Sequence, residues 1–226
     1  MSLLQKFYDL GTRYMTLCHS SNNDICDSST NPKGAEYQGL SLLGEQVVKE
    51  MNRLGMMIDV SHVSDSTFYD VIRLSKVPII ASHSGAKAIC NHPRNLTDDM
   101  LKALAKNGGV IQLNLLSDYI KTIPPSPERE AALKGLYEKY SIKDRRGMMT
   151  LPEAEQQKAR AEFMELNKKY PIQLATVKDA IDHIDHIVKL IGIDYVGMGA
   201  DFDGGGALAD CFDVSQYENK IGRAHV

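Results

Sequence analysis

The segment that decides the fold is MMIDVSHVSDSTFYDVIRLSKVPIIASHS, residues 56–84. It contains two short apolar runs, MMIDV at 56–60 and VPIIA at 77–81, on either side of an amphipathic stretch at 64–75. This order predicts a strand, a helix and a second strand, with Ser64 as the N-cap residue of the helix. A strand–helix–strand unit of this kind places its two strands in parallel, because the helix returns the chain to the starting end of the sheet.

The same alternation continues on both sides of this unit. Further strands are predicted at 13–18, 109–115 and 195–200, and further helices at 39–54, 97–106, 151–169 and 176–191. Gly55 marks a helix end, and Thr97 is a second candidate N-cap residue. Strands that alternate with helices predict an α/β fold with a parallel sheet. Either a barrel or an open doubly wound sheet satisfies this pattern.

The composition is that of an ordinary globular protein. The 226 residues carry 26 basic and 29 acidic side chains, which gives a net charge of −3, and 43% of the residues are hydrophobic. The sequence contains no run of about 18 apolar residues, so no transmembrane segment is predicted. It also lacks basic blocks, which argues against nucleic-acid binding. The four cysteines form no C-x-x-C pair, so a cysteine-based zinc site is not expected. The cellular compartment stays open.

Most of the chain is expected to form one domain, residues 1–220, interrupted by a charged helical insertion at about 121–172. The last six residues, IGRAHV at 221–226, correspond to the translation of a common sequencing adapter. We expect them to be a non-native tail and leave them out of the fold prediction.

Polar residues follow the predicted strands at their carboxyl ends. His19, His62, His83 and Asp201 each come within two residues of the end of such a strand. In a parallel barrel these ends share the face that carries the active site, so the four side chains are predicted to converge. Imidazoles and carboxylates are the ligands that suit zinc and similar ions. Each residue also has an ordinary structural interpretation, such as a hydrogen-bonded histidine, or an aspartate that caps a turn.

Arg94 lies in the loop after the third predicted strand and is expected to face the same end of the sheet. Its planar guanidinium can bind a carboxylate with two parallel hydrogen bonds. The alternative is a surface arginine that pairs with Asp98 or Asp99.

Two Asp-His pairs, at 182–183 and 185–186, have a helical spacing that can bind a metal ion. The apolar stripe of the helix at 176–191 runs beside them. We therefore assign His183 and His186 to a solvated flank of that helix.

Four segments resemble the membrane (renal) dipeptidase family, the M19-type metallopeptidases. They are RYMTLCHSSNN, GLSLLGEQVVKEMNRLGMMIDVSHVS, PIIASHSGAKAICNHPRNLTDD and AIDHIDHIVKLIGIDYVGMGADFDGGG, and together they cover most of residues 8–210. The resemblance implies a TIM-type (β/α)8 barrel of the metal-dependent hydrolase kind. It implies a metallodipeptidase that hydrolyses the peptide bond of dipeptides with a zinc-activated water, and two zinc ions per intact active site.

The resemblance also implies roles for the matching residues. His62 and His83 would bind the second metal ion. His19 would be a catalytic and substrate-binding residue that polarises the peptide carbonyl. Asp201 would act as acid and base beside the bridging water, also in contact with the substrate.

At the other end of the substrate, the resemblance assigns Arg94 to the terminal carboxylate of a dipeptide, with Asn95 as a second candidate. The implied partner is thus a small dipeptide and not a nucleic acid. A homodimer is compatible with the resemblance.

The sequence departs from the family pattern at the first metal site. The family holds that metal with an H-x-D pair on its first strand and bridges the two metals with a glutamate on its third. Here no H-x-D precedes His19, and no glutamate occurs before Glu36. The five predicted strands would be the fourth to eighth of the barrel. We therefore expect a fragment that lacks the N-terminal part of the barrel, with weak metal retention and negligible activity.

Two other functions stay open at this point. One is a different binuclear-metal amidohydrolase that acts on lactams or cyclic amides. The other is a non-enzymatic barrel that serves as a binding module.

Overall fold

The computed structural model of the protein describes residues 2–217, apart from the side chain of Arg146. The tail predicted at 221–226 lies outside the described residues. The described chain divides into two compact units, with boundaries after Thr122 and after Leu174. Residues 123–174 form a helical unit, and the remainder forms an α/β unit. That the helical unit is an insertion into one catalytic domain stays a prediction.

The α/β unit contains a five-stranded parallel sheet whose strands follow one another in chain order. The strands are β1 (Tyr14–Thr16), β2 (Met57–Asp59), β3 (Ile80–Ser84), β4 (Val110–Leu113) and β5 (Val196–Met198). The predicted α/β fold with parallel strands is confirmed. A doubly wound sheet reverses its strand order at one point, whereas a barrel wall does not. The sequential order therefore favours the barrel.

Eight α-helices occur within residues 2–217. They are α1 (Ser2–Asp9), α2 (Leu42–Leu54), α3 (Asp65–Leu74), α4 (Asp98–Asn107), α5 (Ser117–Ile120), α6 (Pro127–Lys139), α7 (Glu153–Lys169) and α8 (Val177–Ile191). The helices α6 and α7 belong to the helical unit. The sequence did not predict α1 and α5, because segments of eight residues or fewer show no clear helical period.

The predicted helix ends are confirmed at three positions. The side chain of Ser64 accepts a hydrogen bond from the Thr67 amide at the start of α3, and Thr97 does the same for Met100 at the start of α4. Gly55 ends α2 with a φ of 73°, a left-handed conformation that favours glycine. These caps fix where each crossover helix begins or ends, and so where the adjoining strand begins.

The core lies between the sheet and a row of helices. The helices α2, α3, α4 and α8 are neighbours in that order. Buried residues of this layer include Val48, Met51, Ile58, Phe68, Leu101, Leu104 and Ile111. The helical unit has a small core of its own around Leu136, Met148 and Ala159. Within residues 2–217 there is no helix with the length and apolar character needed to cross a membrane.

The third strand differs from its prediction. The apolar run at 77–81 placed it too early, because β3 spans Ile80–Ser84 and its register with β4 shifts between Ala81 and Ser84. Such a bulge changes the direction of the side chains that follow it. His83 therefore lies within β3 and not after it.

Candidate active site

The carboxyl ends of the strands open onto a cavity of about 620 Å³. Its wall includes His19, His62, His83 and Asp201, together with Tyr119. The structure thus brings together four side chains that the sequence places as far as 182 residues apart, from residue 19 to residue 201.

A larger cavity of about 870 Å³ lies elsewhere, within the helical unit. Its wall includes Met148, Met149 and Phe163 with Arg145 and Arg160. This lining contains no histidine and none of the predicted site residues, so we do not assign the active site to it.

His62 and His83 converge at the cavity. Their Nε2 atoms lie 2.8 Å apart, and the ring centroids are 4.8 Å apart. His62 has a φ of 74°, which is uncommon for a residue with a side chain. Its carbonyl accepts a hydrogen bond from the Ser29 amide at 2.8 Å and a longer one from the Ser28 hydroxyl at 3.3 Å. The loop after β1 therefore holds the backbone that aims His62 at His83.

Both imidazoles are held in the neutral form that binds metal ions. Burial, followed by the positive charge of Arg94, lowers the pKa of His62 to about 3. The same two causes, in the same order, lower the pKa of His83. Two neutral imidazoles with convergent nitrogens fit one side of a divalent-ion site.

The described residues account for only part of such a site. Within residues 2–217, no group of three or more histidine, cysteine, aspartate or glutamate side chains is placed to hold an ion. Catalytic zinc generally has three protein ligands. The pair His62 and His83 thus fits a metal ion as two ligands of a larger set.

His19 completes a row of three imidazoles. It follows β1, its ring centroid lies 4.1 Å from that of His62, and the side chain is exposed. Its Nδ1 is 3.0 Å from the Ser20 hydroxyl. When that hydroxyl donates, Nε2 of His19 carries the proton and can donate to a molecule in the cavity.

Asp201 follows β5 and is part of the cavity wall. Its φ is 67°. The amides of Gly204 and Gly206 donate to its backbone carbonyl, so the turn uses the main chain and not the carboxylate. Asn114 Nδ2 donates to Asp201 Oδ2 at 3.1 Å, and Asn114 Oδ1 accepts from the Leu116 amide at 2.5 Å. The buried amide of Asn114 therefore orients the carboxylate.

Sequence reasoning missed Asn114. It is fully buried and directly follows β4, inside the strand that the sequence predicts at 109–115. The rule that selected the histidines, a polar residue at the carboxyl end of a parallel strand, applies to it equally.

Arg94 is buried, with 3% of its surface exposed. Its Nη2 donates to the His83 carbonyl at 3.2 Å, and its Nε has no partner within the described part of the chain. The guanidinium carbon lies 5.6 Å from the centre of the Tyr119 ring, which lines the cavity. The alternative surface pairs are not found, because Asp98 binds His186 and Asp99 binds Lys102.

Asn95 is buried beside Arg94, and neither residue is part of the cavity wall. Its Nδ2 donates to the carbonyls of Cys90 and Tyr119, at 2.9 and 2.7 Å. The structure therefore places Asn95 where it joins the loop after β3 to α5.

The assignment of His183 to a solvated flank is wrong. Its side chain is 0% exposed; Nδ1 accepts from the Ala86 amide at 3.0 Å, and Nε2 lies 2.8 Å from the Ile120 carbonyl. His186 is half-buried and pairs with Asp98 at 2.8 Å. Both ring nitrogens of His183 thus form hydrogen bonds with main-chain groups. His183 therefore has a structural role, and neither nitrogen is available to bind a metal ion.

Comparison with known proteins places this chain in a family. The family model of membrane dipeptidase (peptidase family M19) matches residues 1–222. An uncharacterized dipeptidase of Schizosaccharomyces pombe is 35% identical over 205 residues, which are 90% of this chain and 38% of that protein. Dipeptidase 3 of Macaca fascicularis is 33% identical over 221 residues, or 96% of this chain and 35% of that protein.

Comparison with solved structures also finds peptidases. The probable dipeptidase PvdM from Pseudomonas aeruginosa has a TM-score of 0.76 at 31% identity, covering 98% of this chain and 58% of that one. A metallo peptidase from Rhodobacter sphaeroides, liganded with a phosphinate mimic of the dipeptide L-Ala-D-Ala, has a TM-score of 0.71 at 26% identity, covering 99% and 52%. This chain thus spans little more than a third of the curated relatives and about half of the solved ones.

The sequential parallel sheet corresponds to part of the TIM-type barrel of these neighbours. The match of the family model covers nearly the whole sequence, and the strand ends carry convergent histidines. The chain belongs to the membrane dipeptidase family, peptidase family M19.

Proposed function

We propose that the protein of which this chain forms the matched part is a zinc-dependent dipeptidase. The observation that carries the proposal is the convergence of the His62 and His83 Nε2 atoms at 2.8 Å, in a cavity shared with His19 and Asp201. The similarity to dipeptidases and to a peptidase liganded with a dipeptide mimic supports the substrate class.

His62 and His83 would hold one divalent ion with neutral imidazole nitrogens. A zinc ion bound there supplies Lewis acidity, since it lowers the pKa of a water molecule to about 7 and polarises a carbonyl. The family's ligands for a second zinc, an H-x-D pair ahead of the first histidine and a bridging glutamate, have no counterpart before His19 in this sequence.

The chain's own residues would bind the substrate and move the proton. Arg94 has a buried Nε with no described partner and would bind the terminal carboxylate. His19 would donate a hydrogen bond from Nε2 to the peptide carbonyl oxygen. Asp201 would accept a proton from the attacking water and return it to the leaving amine nitrogen.

The test uses the longest open reading frame that contains this sequence, purified with zinc and assayed on glycyl dipeptides. We expect zinc-dependent hydrolysis, and Asp201→Asn should lower kcat by a factor of about 10² to 10⁴. Arg94→Ala should raise KM more than it lowers kcat. A protein that cleaves lactams but no dipeptide, or an Asp201→Asn variant as active as the wild type, would contradict the proposal.

A further inference from the structure

Asp59 is a buried carboxylate at the carboxyl end of β2, with 0% of its surface exposed. It accepts four hydrogen bonds. Oδ1 accepts from the amides of Ser61 and Ser82, each at 3.0 Å. Oδ2 accepts from the hydroxyls of Thr16 and Ser82, each at 2.6 Å. One side chain thereby ties together the ends of β1, β2 and β3.

The hydrogen bond that Ser82 donates to Asp59 decides which atom donates in the hydrogen bond between Ser82 and His83. An ionised carboxylate only accepts, so the single hydroxyl proton of Ser82 points to Asp59. Its other neighbouring oxygen, Ser61 Oγ, is 3.5 Å away and competes poorly. The Ser82 oxygen also lies 2.7 Å from Nδ1 of His83. With its own proton committed, it can only accept there.

His83 must then carry its proton on Nδ1, so its Nε2 has a lone pair that can accept a hydrogen bond or bind a metal ion. That Nε2 is the atom that faces His62 across 2.8 Å in the cavity. The neighbouring histidine has no such support, because Nδ1 of His62 is buried without a hydrogen-bond partner in the described part of the chain. The loop backbone orients His62, whereas a side-chain relay orients His83.

We propose that Asp59 is a positioning residue which, through Ser82, holds His83 in the tautomer that carries its lone pair on Nε2, the nitrogen that faces His62 in the cavity. Hydrogen bonds of this kind, behind a histidine ligand, set its tautomer and its basicity. The inference deepens the proposed function, since His83 is a metal ligand only if that function holds. The tautomer itself requires no metal.

The experiment is imidazole ¹⁵N NMR on the metal-free chain labelled at histidine, at neutral pH, with His83→Gln used to assign the signals. We expect His83 to be protonated on Nδ1 in the wild type. Asp59→Asn offers an amide that can donate to Ser82, so the serine proton should turn to Nδ1 and His83 should change to the Nε2-protonated tautomer. Ser82→Ala should also lose the fixed tautomer, and Ser82→Thr should restore it.

Thr16→Val is the matched control, because it removes a donor to Asp59 without touching the relay. It should leave the His83 signals unchanged. Protonation on Nε2 in the wild type, or an unchanged tautomer in both Asp59→Asn and Ser82→Ala, would overturn the inference. If Asp59→Asn does not fold, the serine variants decide. A correct tautomer in a protein without dipeptidase activity would uphold the positioning role and contradict only the proposed function.

Discussion

At two positions along the carboxyl ends of the strands, a carboxylate lies beside a neutral side chain. The two positions differ in which of these two groups is buried and which faces the cavity. At the end of β2 and β3, the carboxylate of Asp59 is buried and the imidazole of His83 faces the cavity. At the end of β4 and β5, the amide of Asn114 is buried and the carboxylate of Asp201 faces the cavity.

The difference lies in how many lone pairs remain free. A carboxylate offers about four acceptor positions. Asp59 receives four hydrogen bonds and has none left. Asp201 receives one side-chain donor within residues 2–217, from Asn114, so its remaining oxygen positions are open to the cavity. Of the two carboxylates, Asp201 is the one that can contact a molecule in the cavity, whereas Asp59 contacts only protein donors.

The largest expected difference is in the free energy of unfolding when each carboxylate is removed separately. Asp59→Ala leaves four donors, which lie in buried or half-buried positions, without an acceptor and should lower the free energy of unfolding by on the order of 4 kcal/mol. Asp201→Ala should change it by about 1 kcal/mol or less, because one donor is lost beside a cavity. Urea unfolding followed by circular dichroism measures both. Equal losses in the two variants would remove the distinction.

Lowering the pH should decrease the stability of the folded chain through the histidines at the carboxyl ends of the strands. The folded pKa of His62 is about 3, against about 6.5 in an unfolded chain. Between these values the unfolded state binds the extra proton, so stability is full above pH 6.5 and falls as the pH drops toward 3. From pH 7 to pH 5 the metal-free chain should lose about 2 kcal/mol through this group.

The comparison with His62→Gln isolates that loss. The variant should show a shallower decline over the same pH range, because its side chain does not titrate. Urea midpoints at pH 7, 6 and 5 test this. Parallel declines in the two proteins would contradict the neutral, buried state of His62.

Asn114→Ala, after β4, should have the next largest effect on stability. It leaves the amide of the half-buried residue Leu116 without its acceptor and should lower the free energy of unfolding by about 1 to 3 kcal/mol. It also releases the carboxylate of Asp201. In the longest open reading frame we expect a lower kcat with KM nearly unchanged. A change confined to stability would show that Asn114 does not orient Asp201.

Gly204→Ala should have the smallest effect on stability and still disturb the site. A Cβ at 204 would overlap Oδ1 of Asp201, so the carboxylate must rotate away. The site lies on an exposed loop, and the unfolding free energy should change by less than about 1 kcal/mol. In the longest open reading frame, we nevertheless expect the proposed dipeptidase rate to fall. Gly135→Ala, where a Cβ meets open space on α6, is the control and should leave the rate unchanged.

The sequence predicted the strand–helix order because apolar periodicity and capping residues are local. Ser64, Thr97 and Gly55 act where they were expected. The row of histidines was also predicted, since parallel strands bring their carboxyl ends to one edge. The structure places His19, His62 and His83 on one cavity wall.

The supporting residues could not be predicted in the same way. Asp59 lies inside the run MMIDV, and its partners are Thr16 in β1, Ser61 just after β2 and Ser82 in β3. His183 bonds to main-chain groups 97 and 63 residues away, which no helical spacing reveals. His83 was placed after its strand because the register shift between Ala81 and Ser84 leaves no mark in the apolar pattern.

The most direct test of the account is a zinc titration of the metal-free, ¹⁵N-histidine-labelled chain, observed at the imidazole nitrogens. We predict that the Nε2 signals of His62 and His83 move together, with one dissociation constant and at one zinc per chain. The His183 signals should stay in place. Movement of only one of the two rings, or saturation at different zinc concentrations, would contradict a shared ion between them.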